Sequence, residues 1–551
     1  MAHWTHDRDF IVLAQRGTNW SDSNLSCPPP SYPEIYAVAA HTPGNPTGWR
    51  QNIDRATTSC WRRLVAEGHN PAAYNSSQSA MDVAALRIAL RIPAWSVFGV
   101  SYGTRFALTL MRDYPEGITS VILESVYPPA RTDPDGDPAA LHQALLYLFT
   151  SCASDALCSS HFPDLQNAFA AIVERLRRKP IEIFFRKPGE TAPAPTYLDP
   201  AVFLQIVAGL LSERQDLERL PDLIYEINDR AATSTVYFND FSDEDNEEIA
   251  HGAYLATMCN DHPDATSSSD MSEIASGLPL LKEWIAAEFT AQLCREWPAH
   301  GVPATNHSAV RSNVPVLILA GAFDPLTPVT YADLAAATLT RAHVFVFPAA
   351  SHGVIGSDPC ASTIVAAFLA APEVRPDVGC PDPAQRPDFS PSLNARALRL
   401  LADGDRAAAA ALLHQVQKVQ ADKLEPDHPN IAMTANNLAL VHLVEGRHEQ
   451  AELLLEKAAA IHLKATGPGS VQTAVSALLL ALSYQAQGRD SKAETQFQRA
   501  RRIERDLPAR SRFALVIALQ DYVDLLRSLR QFDAAGELQT RMAPLKRRPK
   551  A

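Results

Sequence analysis

A serine between two glycines is the first group in this sequence that could do chemistry. Residues 99–103 read Gly-Val-Ser-Tyr-Gly, which fits G-x-S-x-G, the pattern of a nucleophilic serine on a sharp strand-to-helix turn. Residues 95–98 (Trp-Ser-Val-Phe) predict a buried strand before it, and 104–114 predict a helix that Pro115 ends. Such a turn holds Ser101 in a sparsely allowed conformation and points the amide of Tyr102 at a developing oxyanion. The alternative is an ordinary glycine-rich turn.

A serine hydroxyl needs a base and a carboxylate that orients the base, and two later residues are placed to supply them. Asp324 lies just past the apolar run 316–319, and His352 lies just past the apolar run 344–347. Serine, acid and histidine in this chain order fit a catalytic triad at the carboxyl ends of parallel strands. The sequence has 17 histidines, so His352 is chosen by position, while His41, His262 and His428 are expected on the surface or in loops. No Cys/His spacing indicates zinc, and neither a metal nor another cofactor is expected.

The elements that would carry these residues alternate between strand and helix. Strands are predicted at 9–14, 95–98, 120–124, 314–319 and 343–347, and helices at 61–65, 81–90, 104–114 and 362–369. This alternation predicts a parallel sheet with helices on its faces.

The alternation stops between 127 and 312, where helical patterns dominate. They cover 142–149, 165–178, 202–211 and 280–289, and they predict a helical cap inserted into the sheet domain. The acidic stretch 240–248 is interpreted as a solvated loop.

The last third of the chain is an internal repeat. Gly404, Gly446 and Gly488 are spaced 42 residues apart, and Arg530 continues the series. Three further registers share the period: 409, 451, 493 and 535; 397, 439, 481 and 523; and 419, 461, 503 and 545. Each unit is predicted to be two helices around a glycine-centred turn, stacked into a solenoid. An irregular helical bundle is the alternative.

These patterns divide the chain into five parts. The predicted boundaries are 1–126 for the first part of the sheet domain, 127–312 for the cap, 313–371 for the second part, 372–392 for a proline-rich linker and 393–547 for the repeats.

Composition and charge limit the classes of partner. The formal net charge of −13 argues against nucleic acid or an anionic membrane surface, and no apolar run is long enough to span a bilayer. The eight cysteines all lie in the first 380 residues. Disulfides between sequence neighbours and reduced, buried thiols remain equal alternatives from these counts.

The part of the chain before the repeats resembles the proline-iminopeptidase-like branch of the α/β-hydrolases, and most closely the secreted bacterial tripeptidyl aminopeptidases. The resemblance covers about residues 9–385, and its carriers are 15–18 (Gln-Arg-Gly-Thr), 99–104, 321–328, 351–353, Cys360 and Cys380. It implies an α/β-hydrolase fold, removal of short peptides or single residues from free N-termini, disulfides, and export to the periplasm or medium. The repeats separately resemble tetratricopeptide repeats of the 42-residue kind, which implies a peptide or protein partner.

Two departures from the resemblance concern the beginning of the chain. Ala14 stands where the family has an aspartate, and neither the family's first strand nor its His-Gly-Gly-Pro-Gly loop is found before residue 9. That loop supplies a second oxyanion amide, whose loss costs about 10²–10³ in rate. We therefore expect the natural start, with a signal peptide, to lie upstream of Met1, because residues 1–9 have no apolar core.

Three functions remain open. The first is a serine aminopeptidase. In it Ser101 attacks the scissile carbonyl, His352 takes and returns the proton, Asp324 orients the imidazole of His352, and Asp261 binds the substrate ammonium. A structural turn residue is the alternative for Asp261. The second function is a carboxylesterase with the same triad, and the third is a protein-binding scaffold whose hydrolase half is inactive.

Overall fold

The structure is a computed structural model, and it describes residues 8–22, 24–27, 46–131, 138–185, 194–229, 250–262, 274–287, 294, 297, 302 and 304–542. The predicted acidic loop 240–248 lies outside these residues.

Elements are numbered here in chain order. The first part of the sheet domain and the cap contain α1 Pro46–Ala66, α2 Ser76–Ala89, β1 Trp95–Val100, α3 Tyr102–Asp113, β2 Ile118–Glu124, α4 Pro138–Ser154, α5 Ala156–His161, α6 Leu165–Arg178, β3 Ile181–Phe185, β4 Ala194–Leu198, α7 Pro200–Ser212, α8 Arg214–Leu217, α9 Leu220–Asp229, α10 His251–Asp261 and α11 Lys282–Ala287.

The chain then returns to the sheet and continues into the repeats. These elements are β5 Val316–Gly321, α12 Val329–Ala336, β6 Ala342–Phe347, α13 Val354–Ser357, α14 Pro359–Ala370, α15 Ser390–Ala402, α16 Arg406–Lys423, α17 Pro429–Val444, α18 His448–Thr466, α19 Val471–Ala486, α20 Asp490–Asp506, α21 Ala509–Ser528 and α22 Phe532–Met542.

A four-stranded parallel sheet in the order β1-β2-β5-β6 carries the candidate catalytic residues. Successive side chains of a strand point to opposite faces. Val121 and Ile318 accordingly join a core with α3 and α12, whereas Ile122 and Leu317 join another with α14. Both faces are covered by helices, as the strand–helix alternation predicted.

The predicted strand at 9–14 is wrong. These residues form no strand, and Phe10, Ile11, Val12 and Leu13 are 50, 47, 77 and 39% exposed. An apolar run becomes a strand only where a neighbour supplies backbone partners, and within the described chain β1 pairs with β2 alone. β1 is for the same reason a half-buried edge strand, not the buried strand that was predicted.

The inserted region is mostly helical, as predicted, but it also contains an antiparallel pair that was not predicted. β3 pairs with β4 from Ile181 with Leu198 to Phe185 with Ala194. The four predicted cap helices correspond to α4, α6, α7 and α11, of which α6 matches in both bounds.

All eight cysteines form disulfides between sequence neighbours. The pairs are Cys27–Cys60, Cys152–Cys158, Cys259–Cys294 and Cys360–Cys380. Of the two alternatives left open by the cysteine counts, the structure has the disulfides.

The repeats form the predicted helix pairs. Gly404, Gly446 and Gly488 end the first helix of a pair with φ of +90, +75 and +67°, and Arg530 has φ of +59° at the same place. Glycine adopts this left-handed conformation without a steric cost, which explains its recurrence every 42 residues. The alanines at 397, 439 and 481 and at 409, 451, 493 and 535 are at most 3% exposed, so the paired helices approach closely.

The cap and the repeats share one hydrophobic core. It runs from Leu141 and Phe203 in the cap to Leu393 and Leu438 in the repeats, and α9 packs against α15. The proline-rich segment between α14 and α15 therefore does not separate two independent bodies.

Candidate active site

Ser101 lies on a strained turn between β1 and α3. Its φ and ψ are +54 and −125°, a combination that costs a non-glycine residue about 1–3 kcal/mol and is concentrated at functional sites. A Cβ on Gly99 would lie 2.4 Å from the carbonyl oxygen of Gly103, so this glycine allows the strand and the helix to meet. A Cβ on Gly103 would have no neighbour within 4 Å, so close packing does not require glycine at that position.

The backbone on both sides of Ser101 is fixed. Its N–H donates to the carbonyl oxygen of Glu124 at 3.0 Å, and its carbonyl oxygen accepts from the N–H and hydroxyl of Thr104 at 2.9 and 2.6 Å. Tyr102 is the first residue of α3, and an N–H at that position has no partner within the helix. The amide of Tyr102 is therefore available beside Ser101 for an oxyanion.

Asp324 and His352 are joined directly. His352 Nδ1 lies 2.9 Å from Asp324 Oδ2, and the Asp324 side chain is fully buried. The carboxylate also accepts from the N–H groups of Leu326 and Thr327 at 2.9 and 2.8 Å, and from the Thr327 hydroxyl at 2.7 Å. These donors fix the carboxylate, which orients the imidazole through Nδ1; the Thr327 hydroxyl also lies 3.3 Å from that nitrogen.

Electrostatics favours the charged forms of both partners. Burial alone raises the pKa of Asp324, but the adjacent His352 and the Thr327 donors outweigh it, and the pKa is lowered. Burial alone lowers the pKa of His352, but the carboxylates of Asp324, Glu124 and Glu213 outweigh it, and the pKa is raised. The site thus stabilises an imidazolium, the species formed when a base takes the proton of a serine.

Close packing holds the loop that carries His352. A Cβ on Gly321 would lie 2.2 Å from the carbonyl oxygen of Ser351, so only glycine allows this approach. The Ser351 hydroxyl donates to the carbonyl oxygen of Leu211, and the N–H of His352 donates to that of Ser212 at 3.2 Å. The end of α7 in the cap therefore supports the histidine.

The serine lies at the same edge of the sheet as this pair but is not bonded to it. No hydrogen bond joins Ser101 Oγ to His352 in the described chain. The histidine loop nevertheless crosses the end of β5 and reaches β2, where the N–H of Gly353 donates to Ser125 Oγ at 3.1 Å. β2 is the direct neighbour of β1, so the loop ends one strand away from Ser101. Nucleophile–base contacts are often long without substrate.

Sequence reasoning missed Glu124, Ser125 and Thr327. Glu124 is 3% exposed and accepts from the N–H of Ile355 at 2.5 Å, and burial raises its pKa against the opposing effects of that N–H and of His352. A charged residue directly after the apolar run 121–123, at the end of the strand next to β1, was the available signal.

Asp261 is buried and already has partners. Its carboxylate accepts from the N–H of Ser76 at 3.1 Å and from the Tyr102 hydroxyl at 3.3 Å, contacts the Ser76 hydroxyl, and lies 3.9 Å from Arg105 Nε. With an exposure of 1%, this environment favours the structural alternative. Binding of a substrate ammonium by Asp261 stays a prediction.

The other histidines differ from one another. His262 lies in the non-helical chain just after α10, which fits the loop position that was expected, but it is 1% exposed rather than on the surface, and its Nε2 lies 3.0 Å from the Tyr127 hydroxyl. It follows α10, whose burial carries it inside. His428 lies at the start of α17, where its side chain accepts from the N–H of Asn430, and His41 is outside the described residues.

The described residues hold no group of three or more His, Cys, Asp or Glu that could bind a metal ion, and none of their helices is long and apolar enough to cross a membrane.

Two parts of the sequence match known protein families. Residues 282–380 match the family described as TAP-like protein, within the α/β-hydrolases. Residues 390–464 and 431–506 match the tetratricopeptide repeat family. The chain thus combines an α/β-hydrolase-like parallel sheet, part of which is similar to TAP-like proteins, with a helical region that is similar to tetratricopeptide repeats. No curated protein matches the sequence.

Solved structures of both kinds are similar at a distance. An α/β-hydrolase enzyme from a Medee basin deep-sea metagenome library is 13% identical over 56% of this chain and 76% of its own, with a TM-score of 0.25. An esterase from Thermogutta terrifontis is 16% identical over 54% and 74%, also at 0.25. Repeats of a putative kinesin light chain from Podosopora anserina are 22% identical over 29% and 97%, at 0.21.

Proposed function

We propose that this protein is a serine hydrolase, and specifically an aminopeptidase that releases short peptides or single residues from free N-termini. The observation that carries the proposal is the buried Asp324–His352 pair, 2.9 Å apart, at the sheet edge where Ser101 has φ of +54°. The match of 282–380 to TAP-like proteins supports a hydrolase, and the narrower activity rests on the sequence resemblance.

The roles follow from the chemistry of each group. Ser101 Oγ attacks the scissile carbonyl carbon while His352 Nε2 takes its proton, and Asp324 stabilises the resulting imidazolium. The N–H of Tyr102 donates to the oxyanion of the tetrahedral intermediate. His352 then gives its proton to the leaving amine, the C–N bond breaks, and water releases the acyl group from Ser101 by the reverse sequence.

The test combines labelling with substrate choice. We expect a fluorophosphonate probe to label the wild type and not Ser101→Ala, and peptides with free N-termini to turn over faster than N-acetylated ones. A folded wild-type chain that takes no label contradicts the hydrolase and leaves the scaffold. Turnover of p-nitrophenyl esters without any peptide cleavage identifies a carboxylesterase.

We also propose that the protein works in an oxidising compartment, the periplasm or the medium. The support is the pairing of all eight cysteines, because disulfides persist outside the reducing cytosol. Thiol counting under denaturing conditions, on protein from both the exported and the cytosolic fraction, tests this. Eight free thiols in the active protein would contradict it.

A further inference from the structure

We infer that Glu124 is a positioning residue for His352. We also infer that the dipeptide Glu124–Ser125 connects, by hydrogen bonds, the three chain segments that carry Ser101, Asp324 and His352. This inference deepens the proposed function and rests on it. Neither residue belongs to the predicted triad, and neither is adjacent in sequence to Ser101, Asp324 or His352.

Each segment of the site is bonded to this dipeptide. The carbonyl oxygen of Glu124 accepts the N–H of Ser101 at 3.0 Å, and the N–H of Ser125 donates at 2.9 Å to Leu319, in the strand that leads to Asp324. Ser125 Oγ accepts the N–H of Gly353, next to His352, at 3.1 Å. A displacement of the dipeptide would therefore move the nucleophile, the acid and the base relative to one another.

The Glu124 side chain bonds to α13, the short helix that directly follows the histidine loop. Its Oε1 accepts the N–H of Ile355, three residues after His352, at 2.5 Å. On the other side, the N–H of His352 itself donates to the cap at Ser212. The loop is thus held before and after the imidazole, and Glu124 provides the hold on the side of the sheet.

The backbone at this point carries the strain expected of a functional position. Ser125 has φ of +52°, close to the +54° of Ser101, although neither residue is glycine. Strain of this kind persists only where surrounding bonds over-determine the conformation. Ser125 is fully buried and bonded through both its N–H and its hydroxyl, which meets that condition.

Charge gives Glu124 a second effect on the base. The carboxylates that face His352 come from three elements: Asp324 after β5, Glu124 at the end of β2, and Glu213 after α7. Against the burial of the imidazole, which lowers its pKa, all three raise it. An ionised Glu124 therefore stabilises the imidazolium without touching the substrate.

Two variants separate the two effects. Glu124→Gln keeps a carbonyl oxygen for the N–H of Ile355 but removes the charge, whereas Glu124→Ala removes both. Glu116→Gln is the matched control, since Glu116 is exposed in the turn before β2. For each variant we would measure kcat/KM against pH, and the titration of His352 by NMR with 13C-labelled histidine, assigned by His352→Gln.

We expect Glu124→Gln to shift both the acid limb of kcat/KM and the His352 titration to lower pH, with a loss of less than about tenfold at the plateau. Glu124→Ala should lose about 10- to 100-fold, because the loop is also displaced. A His352 midpoint and a kcat/KM in Glu124→Gln that both equal those of Glu116→Gln would overturn the inference, even if Glu124→Ala does not fold. If the wild type turns over no substrate, the proposed function fails, and the NMR titration still decides whether Glu124 acts on His352.

Discussion

At the scale of single residues, the pKa values of buried carboxyl groups in this protein depend on the hydrogen-bond donors and charges around each group. Asp324 has an imidazole, a hydroxyl and two backbone N–H groups around it, and its pKa is lowered. Glu218 is also buried, but desolvation and the nearby Asp388 outweigh its contact with Arg214 and raise its pKa to about 7.

Replacing the acid should reduce both activity and the stability at mildly acidic pH. In Asp324→Asn the imidazole loses its orientation, and we expect kcat to fall by about 10³–10⁴. The raised pKa of His352 adds stability that is complete below its unfolded value of 6.5 and lost as pH rises through the folded value. The lowered pKa of Asp324 adds stability present above 3.8 and lost as pH falls through its folded value.

Thermal unfolding in a pH series checks the second part of this prediction. The Tm difference between wild type and Asp324→Asn should be greatest between pH 3.8 and 6.5, where both groups are charged. A difference that keeps growing up to about pH 9 would be inconsistent with an ion pair at this site.

Glu218→Gln should stabilise the protein at alkaline pH. The folded state holds the proton up to a pKa of about 7, against 4.5 for an unperturbed glutamate, so ionisation destabilises the fold as pH rises through this window. We expect a gain of about 1–3 kcal/mol at pH 8 and little change at pH 4, measured by urea unfolding. Glu449→Gln, an exposed residue of α18, is the control. A gain of the same size at both pH values would refute the assignment.

At the scale of elements, the repeat turns show how a backbone angle selects a residue. Gly446 ends α17 with φ of +75°, and a Cβ there would meet nothing within 4 Å. The cost of substitution is therefore conformational rather than steric crowding by neighbours.

Gly446→Ala should lower the free energy of unfolding by about 1–2 kcal/mol, because alanine must adopt a left-handed conformation. Gly469→Ala is the matched control: its Cβ would also be unobstructed, and its φ is not positive. Urea unfolding measures both variants, and equal effects would show that the angle is not the cause.

The fourth repeat turn offers the opposite change. Arg530 holds the same position with φ of +59° but carries a side chain. Arg530→Gly should therefore raise the free energy of unfolding by up to about 1 kcal/mol. A loss of stability in the same assay would mean that the side chain contributes contacts that outweigh the strain.

At the scale of the whole molecule, the repeats and the hydrolase part are joined through the cap. Arg399 of α15 makes a two-pronged ion pair with Asp222 of α9, and the Ser392 hydroxyl donates to the carbonyl oxygen of Glu218 at 2.8 Å. A few residues earlier, Arg214 donates to Ser357 at 2.7 Å, beyond the histidine loop. The cap segment 211–222 therefore contacts both the candidate active site and the first repeat.

Breaking the ion pair should destabilise both parts together. Asp222 and Arg399 are 6 and 18% exposed, and removing one partner of such a pair costs about 3–5 kcal/mol. We expect Arg399→Ala to lower Tm in a single calorimetric transition that includes the hydrolase part. Lys464→Ala, which breaks an exposed pair with Asp427, should change stability by less than about 1 kcal/mol. Two separate transitions in Arg399→Ala, with the hydrolase transition unmoved, would show that the parts are independent.

The periodic and local features of this protein were determined by its sequence alone. The 42-residue register, the strand–turn–helix around Ser101, and Asp324 and His352 after late strands follow from spacing, turn chemistry and alternation, which depend on neighbouring residues. Tertiary structure decided what depends on distant partners. The run 9–14 is as apolar as a strand but pairs with no other strand of the described chain. Asp261, which the sequence predicted to bind the substrate ammonium, is buried against Ser76 and Arg105. Glu124 was not predictable either, because its importance comes from bonds to segments 23 to more than 200 residues away, which only the folded chain brings together.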